Sequence, residues 1–77
     1  MTRDELVAKL KSIGVHESSY SIGQMRKSEC VCLVQEGAWW KVYYVERDCP
    51  KELAEFADES DANDYVFNKL SEWHGIS

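Results

Sequence analysis

The sequence lacks the features that mark membrane-bound, secreted and disordered chains. Its longest apolar run, 31–34, is far short of the roughly 20 residues that a membrane-spanning helix needs. The opening segment MTRDELVAKL contains no continuous apolar stretch of the kind found in signal peptides. Four glycines and one proline are too few for a collagen-like chain or a flexible linker. These absences predict a cytoplasmic protein without a membrane-spanning segment.

What remains is the composition of one small globular domain. The chain has 77 residues, of which 44% are hydrophobic, and it contains three Trp, four Tyr and two Phe. That aromatic content is unlike the composition of disordered segments. Because the length is below the about 100–150 residues of a typical domain, we expect residues 1–77 to form a single domain with one core.

Positive charge is scarce and unevenly distributed. Nine basic side chains stand against 14 acidic ones, for a net charge of −5. Residues 46–64 contain eight acidic and two basic side chains, whereas residues 1–27 contain five basic and three acidic ones. Because a negative field repels phosphate backbones and attracts basic proteins, the pattern argues against nucleic acid as a ligand. It predicts either an acidic surface that only keeps the chain dissolved or one that attracts a basic partner.

Cysteine occurs three times, in a pattern that fits neither a disulfide framework nor a recognised metal motif. An odd count without a signal peptide argues against paired disulfides. Cys30 and Cys32 project from the same face of a predicted strand and are expected to pack as small apolar side chains. The other candidate ligands, Cys49, His16 and His74, have no recognised spacing, and zinc requires four ligands. We therefore predict no metal and no cofactor; a small metal or redox protein using the three cysteines is an alternative.

No catalytic motif is visible in the sequence. It has no glycine-rich loop before a helix and no HExxH motif, and its two histidines lie far apart in the chain. A cysteine–histidine nucleophile pair is disfavoured because the thiols lie on strands or at their ends. A chain of this size also rarely forms a cleft that could hold a substrate. We predict a protein that is not an enzyme and has no catalytic residues.

Two helices are predicted, one on each side of a strand-rich middle. Thr2 and Glu5 form a capping-box pattern at the start of a helix over 3–13, within which leucines recur at helical spacing. A second helix over 60–73, capped by Asp58 or Ser60, ends before Gly75. Its inward stripe consists of Ala62, Val66, Leu70 and Trp73, with Tyr65 and Lys69 at the edge.

The middle of the chain predicts a small sheet, with strands over 20–22, 29–36 and 39–46. Residues 47–50 are expected to interrupt the strands. Residues 51–56 fit a helical turn or, as we favour, a short edge strand with Glu52, Ala54 and Phe56 on one face. The expected fold is therefore an α+β two-layer domain of a helix, three or four antiparallel strands and a second helix, with the helices on one face of the sheet.

The strand over 39–46 is aromatic on both of its faces. Alternation places Trp39, Lys41, Tyr43 and Val45 on one face, and Trp40, Val42, Tyr44 and Glu46 on the other. Two helices can cover only one face, so the other is left for a partner. Alternation alone does not decide which face is covered. Stacking of nucleobases on this face is disfavoured by the net charge of −5.

The stretch from Cys30 to Leu70 resembles a group of small bacterial immunity proteins from polymorphic-toxin systems, the immunity protein 59 group. The similarity is carried by EGAWWKVYYVER over 36–47, in which a tryptophan strand runs into Tyr-Tyr and then Glu-Arg. It continues in Glu55-Phe56, in ESDA over 59–62, and in Tyr65 and Leu70, which are similar to the closing helix of that group.

The resemblance implies a binding function without catalysis. Such a protein binds a cognate secreted toxin domain, often a nuclease, and neutralises it. A nuclease is usually basic near its active site, which suits an acidic inhibitor. We expect the partner-binding residues to be Trp39 and Tyr43 as aromatic anchors, with an acidic rim of Glu55, Asp58, Glu59, Asp61 and Asp64. An adaptor or chaperone that binds a secreted protein without inhibiting it is an alternative, and the protein is expected to be a monomer or homodimer.

Overall fold

A computed structural model describes residues 1–26 and 29–73 and shows two helices on one face of a four-stranded sheet. The elements in chain order are α1 (Arg3–Ser12), a one-turn 3₁₀ helix (Glu17–Ser19), β1 (Tyr20–Ile22), β2 (Cys30–Glu36), β3 (Trp39–Glu46), β4 (Cys49–Phe56) and α2 (Glu59–Trp73). The predicted α+β class and the order of helix, strands and helix are confirmed. Neither described helix is long and apolar enough to cross a membrane. The predicted stop at Gly75 lies outside the described residues.

Both ends of α1 follow from local sequence signals. The Glu5 N–H donates to Thr2 Oγ1 and the Thr2 N–H donates to Glu5 Oε1, each at 3.2 Å. These bonds complete the predicted capping box and hold the pKa of Glu5 below its ordinary value. After the helix, Gly14 has a φ of 85°, and the Val15 N–H donates to the Leu10 carbonyl at 2.9 Å. This is the Schellman arrangement, which needs a glycine because other residues are strained at positive φ.

The sheet has the order β1-β2-β3-β4, and its first pair differs from the prediction. β1 runs parallel to β2, with Tyr20 opposite Val31 and Ile22 opposite Leu33, whereas all strands were expected to be antiparallel. The remaining pairs, β2–β3 and β3–β4, are antiparallel as predicted. A parallel pair requires the chain to cross back over the sheet. Because β1 has only three residues, a short connection suffices for that return.

Two-residue turns join β2, β3 and β4 into a meander. The first turn connects Glu36 to its cross-strand partner Trp39, and Gly37 in this turn has a φ of 63°. Arg47 and Asp48 have φ values of 50° and 64°, the signature of a type I′ turn, whose twist matches that of the strands. The predicted break over 47–50 was therefore too long: the turn needs only two residues, and β4 already begins at Cys49.

A β-bulge changes which face of β4 its side chains occupy. Pairing runs from Trp40–Phe56 to Val42–Ala54, and then jumps to Tyr43–Glu52, so that Leu53 is an extra residue. Ala54 and Phe56 share a face as predicted, but the placement of Glu52 with them was wrong, because the bulge turns it to the opposite face. Leu53 packs against the core instead.

The main core lies between the helices and one face of the sheet, called here the helix face. Its fully buried side chains come from both layers and include Leu6, Leu10, Val31, Leu33, Val42, Ala62, Val66 and Leu70. Two aromatic pairs add to it: Tyr44 meets Trp73 edge-on with ring centroids 5.1 Å apart, and Phe56 lies 5.4 Å from Tyr65. The predicted inward stripe of the second helix is thus on the core side, although Trp73 remains 48% exposed.

A candidate protein-binding face

The opposite side of the sheet, called here the outer face, carries the other half of the strand residues. Cross-strand pairing aligns Glu36 with Trp39, Val34 with Lys41 and Cys32 with Tyr43. The structure thereby settles which face of β3 lies away from the helices: that of Trp39, Lys41, Tyr43 and Val45. The end nearest the β2–β3 turn forms what we call the open patch, consisting of Val34, Glu36, Trp39, Lys41, Tyr43, Glu52 and Glu55.

Trp39 and Tyr43, the two predicted aromatic anchors, lie four residues apart in β3 and on the same face, within the open patch. Trp39 is 46% exposed, one of the three most exposed large apolar side chains in the described residues. The Tyr43 hydroxyl donates a hydrogen bond to the Glu36 carboxylate across the strand pair. This bond raises the pKa of Tyr43 above its ordinary value and fixes the ring. The patch therefore presents one free indole beside one anchored phenol.

The charges of the open patch are one ammonium among three carboxylates. Lys41 Nζ lies 3.3 Å from Glu52 Oε1 and 3.8 Å from Glu55 Oε2. The hydrogen bond to Glu52 raises the pKa of Lys41, so this cation stays charged well into alkaline solution. With Glu36, Glu52 and Glu55 against Lys41, the patch is negative around its aromatic centre. Such a surface favours a basic partner.

The other half of the outer face is covered. Cys30, Cys32 and Val45 are buried there with Tyr43 packed against them. Ser21 of β1 lies opposite Cys32, and its hydroxyl donates to the Gln24 carbonyl at 2.7 Å, so the chain that follows β1 begins its course on this side. The two sulfur atoms are 3.5 Å apart, and burial raises the pKa of Cys32 to about 11. These thiols pack as predicted, and a raised pKa keeps Cys32 in its unreactive protonated form.

Metal ligands do not converge anywhere in the described ranges. Among residues 1–26 and 29–73, no three His, Cys, Asp or Glu side chains are placed to hold one ion. Cys30 and Cys32 supply only two sulfur ligands, and Cys49 is exposed at the start of β4. In this part of the chain, therefore, no third ligand joins Cys30 and Cys32, as a cysteine-based metal protein would require.

The predicted acidic rim is divided between two places. Glu55 lies on the open patch, whereas Asp58, Glu59, Asp61 and Asp64 belong to the start of α2, on the other side of the sheet. Three of these four are engaged within the molecule, as N-cap or ion-pair partners. The Asp58 carboxylate accepts the Ser60 N–H at 2.9 Å, Glu59 lies 3.0 Å from Arg3, and Asp64 lies 3.4 Å from the Met1 ammonium.

Sequence reasoning missed four residues of the open patch, the apolar Val34 and three charged residues, and only some of them left a signal. Glu36 and Lys41 were recoverable, because a two-residue turn at 37–38 places Glu36 opposite Trp39 and alternation then adds Lys41. Glu52 was not recoverable, since its face depends on the bulge at Leu53. The three charged residues among them surround the aromatic anchors.

The chemistry of the open patch suits recognition of another protein. No protein-family model, curated protein or solved structure matches this chain. Function is therefore inferred from the site itself: an exposed indole, an ordered tyrosine and surrounding carboxylates on a sheet face that neither described helix covers. Aromatic side chains of this kind are enriched in protein interfaces, and acidic neighbours select basic partners.

Proposed function

We propose that this protein is a cytoplasmic immunity protein that binds and neutralises a cognate secreted toxin domain, a basic nuclease. The observation that carries the proposal is the open patch, where a half-exposed Trp39 and an ordered Tyr43 lie among carboxylates. The sequence resemblance to the immunity protein 59 group supports the same function. The net charge of −5 favours a basic partner over a nucleic acid.

In this proposal Trp39 and Tyr43 anchor the complex. An indole that is 46% exposed in the free protein has a large area to bury against a partner. Tyr43 is already held by its hydrogen bond to Glu36, so less side-chain entropy is lost when the partner binds. Tryptophan and tyrosine are the residues that most often dominate binding energy at interfaces.

The carboxylates act at two distances from the anchors. Glu36, Glu52 and Glu55 are close enough to pair with arginine or lysine side chains that surround the anchors in the complex. The acidic start of α2 lies on the other side of the sheet, and its field attracts a basic domain from farther away. Near charges therefore slow dissociation, and distant ones speed association.

The experiment that tests the function is co-expression with the C-terminal domain of the protein encoded next to this one. The proposal expects that this chain restores growth and co-purifies with that domain. Trp39→Ala should raise the Kd about 30-fold or more, as expected for a hot-spot residue. The matched control is Trp73→Ala, which removes an equally exposed indole, 48% against 46%, at the end of α2. A complex without rescue of growth would instead indicate an adaptor or chaperone.

The electrostatic part is tested separately, with amides in place of the acids at the start of α2. The variant combines Asp58→Asn, Glu59→Gln, Asp61→Asn and Asp64→Asn, and asparagine at 58 keeps the helix cap. Association with the toxin domain should slow at low salt and become less salt-dependent, while dissociation changes little. An association rate that stays the same at low salt would contradict long-range attraction and leave the role of Trp39 untouched.

A further inference from the structure

A groove runs between α1 and β1, at the edge of the sheet farthest from β4. Its walls include Val7 and Lys11 from α1, Glu17 from the 3₁₀ helix, Tyr20 and Ile22 from β1, and Arg26 from the connection that follows. None of these residues belongs to the open patch. The groove is thus a separate feature, and its role does not depend on the proposed function.

β1 forms one wall of the groove with its unpaired edge. In the described sheet this strand pairs only with β2. The Gly23 N–H donates to the Leu33 carbonyl at 2.7 Å, so Gly23, and Ser21 two residues earlier, direct their backbone groups toward β2. The backbone groups of Tyr20 and Ile22 therefore point the other way, into the groove. An edge strand of this kind is a template for one more strand.

The side chains of the groove add a preference for charge. Val7 and Ile22 are partly buried apolar residues that pack against the core. Lys11 and Arg26 supply two cations against the single carboxylate of Glu17. The balance of this groove is therefore positive, although the net charge of the chain is −5. Its charge is complementary to carboxylates.

We propose that this groove binds an extended protein segment that carries carboxylate side chains and adds to β1 as a fifth strand. The backbone of the segment pairs with Tyr20 and Ile22, and its alternate side chains contact Val7 or reach the cations Lys11 and Arg26. Main-chain hydrogen bonds supply affinity and the cations supply selectivity, as in other cases of strand addition.

The probe is an acetylated, amidated hexapeptide in which valine and glutamate alternate, titrated into the isotope-labelled full chain and followed by NMR. Amide shifts should concentrate at Tyr20 and Ile22, whose exchange with solvent should slow. Lys11→Glu should weaken binding about tenfold by placing like charges together. Lys51→Glu makes the same charge change on exposed β4 and should alter the affinity by less than about twofold.

Several results would overturn the proposal. One is the absence of any shift at ~1 mM peptide, a concentration that detects even weak binding. Another is equal binding of a peptide with lysine in place of glutamate, or of one whose backbone is N-methylated at alternate residues. Shifts confined to the open patch or to β4 would place the peptide elsewhere. An equal effect of Lys51→Glu and Lys11→Glu would show that only total charge matters.

Discussion

Alkaline solution should destabilise this protein through one buried thiol. Cys32 is fully buried, and burial raises its pKa from 9.0 to about 11. In the unfolded chain the thiol ionises near the ordinary value, so between these two pKa values the folded state holds a proton that the unfolded state has released. The free energy of unfolding therefore falls as the pH rises through this window.

The size of the effect follows from the shift in pKa. Each pKa unit corresponds to about 1.4 kcal/mol, which sets a limit of about 3 kcal/mol for this group. The loss should reach about 1 kcal/mol at about pH 10 and about 2 kcal/mol at about pH 11. The assay is urea unfolding, under reducing conditions, at several pH values from neutral to alkaline.

Two variants isolate the thiol in this assay. Cys32→Ala should lower stability by about 1 kcal/mol at neutral pH, because it leaves a small cavity, and should flatten the alkaline decline, so that the difference from the parent chain disappears as the pH rises. Cys49→Ala removes an exposed thiol and should keep the decline of the parent chain. Ionisation of Lys41 and Tyr43 is common to all three proteins and cancels from the comparison. If Cys32→Ala declines as steeply as the parent, burial of this thiol is not the cause.

Three further substitutions test the fold. Leu33→Ala, at a fully buried position of β2, should lower the free energy of unfolding in urea by about 2–5 kcal/mol. A loss below about 1 kcal/mol would contradict the central packing of Leu33. Thr2→Ala should cost about 1 kcal/mol in thermal unfolding by removing the α1 cap, whereas Thr2→Ser should retain it; equal melting of the two would refute the cap. Asp48→Gly should stabilise the chain by about 0.5 kcal/mol, because glycine adopts the observed φ of 64° without strain; a destabilised variant would speak against the type I′ turn.

The helices and the meander were predictable because their signals are local. The capping box at Thr2 and the two-residue turn at 37–38 each act within a few residues. The direction of β1 was not predictable, because its three residues are compatible with either direction. The parallel register with β2, in which Tyr20 lies opposite Val31, joins residues that no local pattern pairs.

The candidate site likewise has a part that the sequence predicted and a part that it did not. Alternation along β3 correctly placed Trp39 and Tyr43 on one face, but which face the helices cover depends on packing of the whole domain. The acids at the start of α2 appeared free in the sequence, because their partners lie far away in the chain. Glu59, for example, pairs with Arg3, which is 56 residues distant. Interactions between residues far apart in the chain leave no local sequence pattern from which they could be predicted.

The two-residue turns also affect when the proposed partner-binding surface forms during folding. Pairing within the meander closes short loops, whereas contact between α1 and α2 joins residues as far apart as Arg3 and Glu59. The entropy lost on closing a loop grows with its length, so we expect β2, β3 and β4 to pair before the helices dock. Every residue of the open patch belongs to those three strands. The surface proposed to meet the partner is therefore assembled by the earliest part of the fold, and the helices that close the core last serve to hold it in place.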